Sequence, residues 1–358
     1  MRKFTAAAAA ALTIGLSAVA LHSASAEPVP QPLALGDFDF SAPQTLATDL
    51  NVPWGLAFLP DGSALVSERN TARVLRVTAQ GTVTPLFALP GVVVDFEDGL
   101  LGLAVSPDYA TDNYVYAFYK SPTDDRIVRF HLDSPAEQEP VVTGLDTAAM
   151  HNGGRIAFGP DGKLYAGVGD ATVTANSQDM TSNNGKILRM EPDGAVPADN
   201  PFPGSLIYSL GHRNVQGLAW DAQGRLFATE FGQSTWDEIN LITPGANYGW
   251  PTVEGTTTDS RFRNPIIQWR PAEASPSGAA IVGDDLFVAA LRGTRLWQIP
   301  VTADGLGTPV ARLHGTYGRL RTVAVAPDGY LWVMTSMRDG KLSPGADDDR
   351  ILRFPPIA

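Results

Sequence analysis

The chain has 358 residues, 44% of them hydrophobic and 18% charged, a balance that supports a folded core and excludes a disordered chain. A formal net charge of −12 argues against a nucleic-acid binder. Cysteine is absent, which excludes disulfides, zinc–cysteine sites, iron–sulfur clusters, covalent c-type haem, blue copper and a lipidated N-terminal cysteine.

The first segment reads as an export signal. Arg2 and Lys3 precede an Ala/Leu-rich stretch from Thr5 to Leu21, and Ala24-Ser25-Ala26 fits a signal peptidase site. The stretch is short for a membrane anchor, and no later segment is long and apolar enough to span a bilayer. Residues 1–26 are therefore expected to be cleaved, leaving a secreted or periplasmic protein of net charge about −14, once Arg2 and Lys3 are removed from −12. Pro28 to Pro32 reads as an extended lead-in.

One phrase then recurs six times. Its copies begin at Gly55, Gly102, Arg155, Gly217, Gly278 and Thr322, with shared alanines Ala57, Ala104, Ala157, Ala219, Ala280 and Ala324. In Gly55-Leu-Ala-Phe-Leu-Pro-Asp-Gly62 an apolar run meets Pro-Asp-Gly, a hairpin signal. Proline presets φ, aspartate bonds the local backbone, and glycine accepts positive φ. A second run follows each turn: Ala64–Ser67, Tyr114–Phe118, Leu164–Val168, Leu226–Thr229, Leu286–Ala290 and Leu331–Thr335. Third strands are expected at Arg73–Val77, Lys186–Met190, Arg295–Ile299 and Arg350–Phe354. Helical periodicity is nearly absent after residue 26. Six β-rich units of this size predict an all-β, six-bladed β-propeller, a single domain within residues 27–358. The inserts at 171–185 and 236–275 are expected to be loops on one face.

Repeat phase locates the chemistry. Residues just before an inner strand and just after a second strand lie at one end of the channel. Those positions hold Glu97, Asp98, His151, Asn152, Arg213, Asn214, Arg319 and Arg321, then Glu68, Asp170, Glu230 and Arg292. They are expected to converge on one rim. Arginine recognises carboxylate or phosphate bidentately, so the ligand should be multiply anionic. A histidine among them can act as a general base. In Glu230–Trp250, Asp237, Glu238, Asn240 and Asn247 are hard oxygen donors among glycines, a mixture that suits Ca²⁺.

The strings Glu97-Asp-Gly-Leu-Leu-Gly102, His151-Asn-Gly-Gly-Arg155, Gly211-His-Arg-Asn-Val-Gln-Gly217, Glu230-Phe-Gly232, Asp237-Glu-Ile-Asn240, Asn247-Tyr-Gly-Trp-Pro251 and Arg319-Leu-Arg321 occur in order. Together they resemble the soluble quinoprotein sugar dehydrogenases, the glucose/sorbosone and aldose sugar dehydrogenase family, over about residues 45–355. The resemblance implies pyrroloquinoline quinone (PQQ) and Ca²⁺ as cofactors and oxidation of an aldose at C1 to its lactone. It makes His151 the catalytic base and places Glu97, Arg213, Asn214, Arg292, Arg319 and Arg321 at the quinone. It makes the carbonyls of Gly232 and Gln233 ligands of the cofactor's Ca²⁺, and Glu238 and Tyr248 ligands of a second, structural Ca²⁺. Three residues depart from the pattern. Met150 replaces an aspartate that orients the histidine, Gln233 replaces a proline, and Arg292 replaces a lysine. Electrons must pass to an external acceptor: a quinone, cytochrome or dye. The competing readings are a Ca²⁺-dependent lactonase or other hydrolase, and a non-catalytic binding propeller.

Overall fold

Pro-Asp-Gly behaves as its chemistry dictates. Gly62, Gly162 and Gly329 take φ of 82°, 73° and 84°, and Asp61 and Asp161 each accept the backbone N–H two residues on. Each such turn joins an inner strand to a second strand, and six antiparallel sheets result. The computed structural model describes Met1 and residues 37–357. The expected export signal and the Pro28–Pro32 lead-in lie outside the described residues.

Blade 1 comprises Pro53–Phe58, Ala64–Glu68, Arg73–Val77 and Val83–Ala88. Blade 2 comprises Leu100–Val105, Tyr114–Lys120, Asp125–His131 and Glu139–Leu145. In blade 3 the strands are Gly153–Phe158, Leu164–Val168, Lys186–Met190 and Ile207–Leu210; in blade 4, Val215–Trp220, Leu226–Glu230, Asp237–Ile242 and Ile267–Trp269. Blade 5 runs Pro276–Val282, Asp285–Ala290, Arg295–Thr302 and Val310–Arg312, with a short fifth strand at Gly305–Leu306. Blade 6 takes Leu320–Val325, Leu331–Thr335 and Ile351–Phe354 from the C-terminal end and its outermost strand, Gln44–Ala47, from the N-terminal end. That pairing, Gln44 opposite Arg353, closes the ring. Helix among the described residues is confined to the single turns Tyr109–Asp112 and Thr174–Ser177, and none is long and apolar enough to cross a membrane.

Six apolar clusters fill the six gaps between neighbouring blades. Trp54, Tyr116, Phe118, Phe227, Phe287 and Trp332 are buried there, and aromatic burial of this kind dominates the energetics of a sheet-on-sheet core. The repeat's small residue has a steric cause. A side chain at Gly55 or Gly217 would collide with the inner strand of the next blade, at Leu101 and Ser277 respectively.

The insert 236–275 is not one loop. It contains the third and fourth strands of blade 4, and the excursion between them is 243–266. The error came from reading Asp/Asn/Gly content as loop where Asp237-Glu-Ile-Asn240 alternates as a strand with both faces covered.

Candidate active site

Arg155 breaks the repeat, standing where four copies have glycine. Its side chain therefore enters the axial channel. Nε donates to the Gln216 carbonyl (2.8 Å), Nη2 to Thr322 Oγ1 (3.2 Å), and the guanidinium lies 4.1 Å from the Trp54 ring centroid. Above it opens a cavity of about 490 Å³ at the end predicted from repeat phase. Its walls carry Glu97, His151, Asn152, Asn214, Arg292, Arg319 and Arg321 from the predicted set. They also carry Trp54, Arg69, Gln216, Asp339 and Lys341, which sequence reasoning missed. Arg69 was findable, one residue past Glu68. Asp339 and Lys341 follow the second strand of blade 6, a position left unread.

The cavity is cationic. Arg321 bonds Gln216 Oε1 (3.1 Å) and Ser277 Oγ (3.4 Å), but its buried Nε has no protein partner. Burial, then neighbouring Arg69, pushes the Arg321 guanidinium down to about 9, and burial and Arg321 do the same to Arg155. Arg319 is paired with Asp339 (2.7 Å) and Lys341 with Glu97 (3.6 Å). An orphaned buried donor on Arg321, which like Arg69 and Arg292 forms no ion pair among the described residues, fits a polycarboxylate ligand.

His151 sits in the left-handed region (φ 64°), an arrangement that costs of order 1–3 kcal/mol and marks functional sites. It is held by its carbonyl, which accepts the Ala171 N–H (3.1 Å), so close to Gly169 that any side chain there would clash. Asp170 Oδ1 lies 3.0 Å from Nδ1, and Arg213 Nη2 lies 2.6 Å from Nε2. A guanidinium can only donate, so Nε2 carries the lone pair and Nδ1–H donates to Asp170. Trp250 supports both flanks. Its Nε1–H donates to Asp170 Oδ2 (2.8 Å), and its ring lies 5.5 Å from the Arg213 guanidinium. The expectation that Met150 leaves His151 without an orienting carboxylate is thus corrected. Asp170 supplies it from across the blade, and Met150 is exposed.

Of the five carboxylates expected on the rim, Glu97 lines the cavity and the other four are instead buried in the wall. Glu68 takes the Asn51 N–H, the Thr71 hydroxyl and Arg73. Asp170 takes His151, Trp250 and the Thr172 N–H. Glu230 takes His212 (2.9 Å) and the Arg213 N–H. Asp98 lies against Asp125, whose two oxygens have no hydrogen-bond partner. Burial and its neighbour's charge push Asp125 up to about 9, and burial pushes Asp98 to about 6. At these phases the strand ends need their N–H groups capped, and carboxylates do that from inside.

Arg213, Gly232 and Gln233 stand behind the cavity wall rather than in it. Arg213 bridges Gln233 Oε1 (2.8 Å), the Phe231 carbonyl (3.1 Å) and His151. The N–H groups of Gln233, Ser234, Thr235 and Trp236 all converge on Glu254 Oε1 at 2.8–3.0 Å. Peptides whose N–H groups face one carboxylate turn their carbonyls away from it, as a hard-cation site needs. Only glycine fits at 232, because a Cβ would meet the Trp236 carbonyl.

Behind this loop, Glu238 is pushed up to about 8 by burial and then by the Glu230 charge. Asn240 Oδ1 is buried without a partner. Facing carboxylates beside an orphaned oxygen fit a cation. Asp237 and Asn247 are already committed. Asp237 caps Gly232 and Ser275, and Asn247 bonds Gln178 and Gly249. The Tyr248 hydroxyl donates to the Leu241 carbonyl, so any metal contact there falls to its backbone.

The chain is similar in sequence and in fold to known proteins. A family model described as glucose/sorbosone dehydrogenase matches residues 50–344. The chain is 36% identical over 258 residues to quinoprotein glucose dehydrogenase B of Acinetobacter calcoaceticus, covering 61% of this chain and about half (54%) of that one. It is 28% identical over 338 residues to the aldose sugar dehydrogenase YliI of Escherichia coli, covering 84% and 91%. The PQQ-bound aldose sugar dehydrogenase of Streptomyces coelicolor is similar in structure, with a TM-score of 0.84, 52% identity and coverage of 87% and 96%. The chain belongs to the glucose/sorbosone dehydrogenase family of enzymes.

Proposed function

We propose that this protein is a quinoprotein oxidising aldoses at C1 to lactones, exported by cleavage after residue 26 and working as a single domain, 27–358. One observation carries the reading: Arg69, Arg292, Arg319, Arg321 and Lys341 line the cavity that His151 faces. PQQ, when bound, supplies the acceptor for the hydride of sugar C1. Arg319 and Arg321 would hold its carboxylates, with Glu97 and Arg292 beside them in the cavity wall. Arg155 adds positive potential from below. Asn214 in the wall, and Arg213 once its side chain turns from behind it, would help to hold the quinone. That turn would break the Arg213 bond to His151 and leave Nε2 free to take the C1 hydroxyl proton. Asp170 keeps Nδ1 protonated and steadies the imidazolium that forms. Gly232 and Gln233 would hold Ca²⁺ through their carbonyls, adding charge stabilisation. Glu238 and the Tyr248 carbonyl would hold a second, structural Ca²⁺.

Electrons then leave for an external acceptor, since the sequence has no cysteine for a second redox centre. The hydrolase alternative needs a metal held by carboxylates at the axis, whereas Glu97 and Asp339 are both tied to cations. The test is reconstitution: the apoprotein should gain dye-reducing activity with an aldose only when PQQ and Ca²⁺ are added. Equal activity with NAD⁺ and no quinone would sink the reading.

A further inference from the structure

Three loops at the cavity end are stitched edge to edge. Glu97 N–H donates to the Ala149 carbonyl, Ala171 N–H to the His151 carbonyl, and Asn176 Nδ2 to Asp146 Oδ2. These loops display Val93, Val94, Phe96, Met150, Val173 and Met180 to solvent, six of the eleven large apolar side chains exposed between residues 37 and 357. Phe96 is 55% exposed and held at φ 38°, a conformation that bulky residues avoid. The patch adjoins the cavity through Glu97 and His151, which line it. Scattered exposed leucines and valines need no explanation, but a cluster on one side of a cavity mouth marks an interaction surface.

Charge selects the partner. Asp95, Glu97, Asp146 and Asp179 border the patch. Lys120 pairs with Asp95 (3.0 Å), and Lys341, 4.6 Å from the Phe96 ring centroid, pairs with Glu97 (3.6 Å), so Asp146 and Asp179 keep the border acidic. A second copy of this chain would set that acidic border against itself. An anionic lipid surface would be repelled in the same way. We propose that this patch is the docking surface for a basic one-electron carrier protein whose redox group lies near an apolar face. The inference rests on the dehydrogenase reading given above. Each turnover takes a hydride from sugar C1 and a proton from its hydroxyl, two electrons and two protons in all. Two oxidised carriers, docking in turn, take one electron each, and the two protons pass to solvent.

The probe is a basic mitochondrial-type cytochrome c, and the variant is Val94→Ser/Val173→Ser. Both residues are exposed and neither lines the cavity, so dye-linked turnover should stay unchanged. Calorimetry with the apoprotein should show binding that weakens with salt and falls about tenfold or more in the variant, as for a central apolar contact. Reduction of cytochrome c by the sugar-reduced enzyme should fall in parallel. The inference is overturned if the variant binds and reduces cytochrome c like the wild type. It is equally overturned if the wild-type apoprotein fails to bind, or if light scattering shows the patch joining two copies of the chain. Loss of quinone-dependent dye reduction in the wild type would instead defeat the dehydrogenase reading, and the binding measurement would still report on the surface.

Discussion

Replacing Asp170 by asparagine tests the His151 assignment most sharply. The carboxylate accepts three hydrogen bonds: His151 Nδ1 at 3.0 Å, Thr172 N–H at 2.8 Å and Trp250 Nε1 at 2.8 Å. An amide oxygen facing His151 and Thr172 leaves the NH₂ group against the indole N–H, donor to donor. An unmet buried donor of that kind costs about 1–3 kcal/mol. The flipped amide clashes with the Thr172 N–H instead and drives the imidazole proton to Nε2, where it meets Arg213 and removes the base. Loss of the anion alone exchanges a charged hydrogen bond for a neutral one, about 1–1.5 kcal/mol or tenfold in rate. Loss of the tautomer removes general-base catalysis, worth about 10²–10⁴-fold. Asp170→Asn should therefore slow single-turnover reduction of bound quinone by sugar at least tenfold, with the quinone titration unchanged. Trp250→Phe deletes the clashing donor. It should slow the wild type modestly yet speed Asp170→Asn, because the productive amide orientation is then unopposed. Stopped-flow rates for the four proteins form the cycle. Rates for Asp170→Asn within twofold of wild type would refute the reasoning, and so would Trp250→Phe slowing both backgrounds alike.

Arg319→Ala and Arg321→Ala each remove a charge-assisted contact of about 1.5–3 kcal/mol, so quinone affinity should fall roughly ten- to a hundredfold; unchanged titration curves would move the site elsewhere. The Asp98–Asp125 pair must keep a proton when folded. Because Asp125 is raised from 3.8 to about 9, the fold is favoured below pH 4 and loses this stability as pH rises toward 9. Asp125→Asn carries its own N–H, and melting scans across that window should show a flatter Tm against pH. With the proposed Ca²⁺ site, Ca²⁺ should raise the Tm of the apoprotein and Glu238→Gln should abolish most of that rise, since ligand stabilisation follows affinity; an equal rise in both proteins would show that Glu238 holds no metal.

The ring was legible because its punctuation is local. Pro-Asp-Gly turns and the Gly-Leu-Ala runs fix inner and second strands by short-range chemistry, and six copies in phase leave few other closures. Cavity residues such as Arg319 and Arg321 followed from the same phase. The His151–Asp170 partnership did not, because Met150 stands at the adjacent position while the partner follows the end of the second strand that lies beside it, Val168 opposite Gly153. Nor did the buried state of Glu68, Asp98, Asp170 and Glu230. Phase gives a residue's height along the channel, but not whether its side chain turns toward the axis or back into the wall. Gln44–Ala47 went unread as a strand because two of its four residues are exposed and its partner lies some 300 residues away.

That last strand governs how the molecule can be made. Asp39 N–H donates to the Pro355 carbonyl, and Ile357 N–H to the Asp37 carbonyl, so the two ends of the toroid are buttoned to each other. A polypeptide emerging from its N-terminus must hold residues 44–47 in reserve until the final segment, Ile351–Phe354, arrives. Closure is the most non-local event the sequence contains, the kind that folds slowly and exposes an unpaired edge meanwhile. The same seam is an engineering opportunity. A short peptide joining the adjacent ends, with new ends cut at an exposed bottom turn such as Gln223–Gly224, would make the seam covalent and turn the slowest pairing into a hairpin.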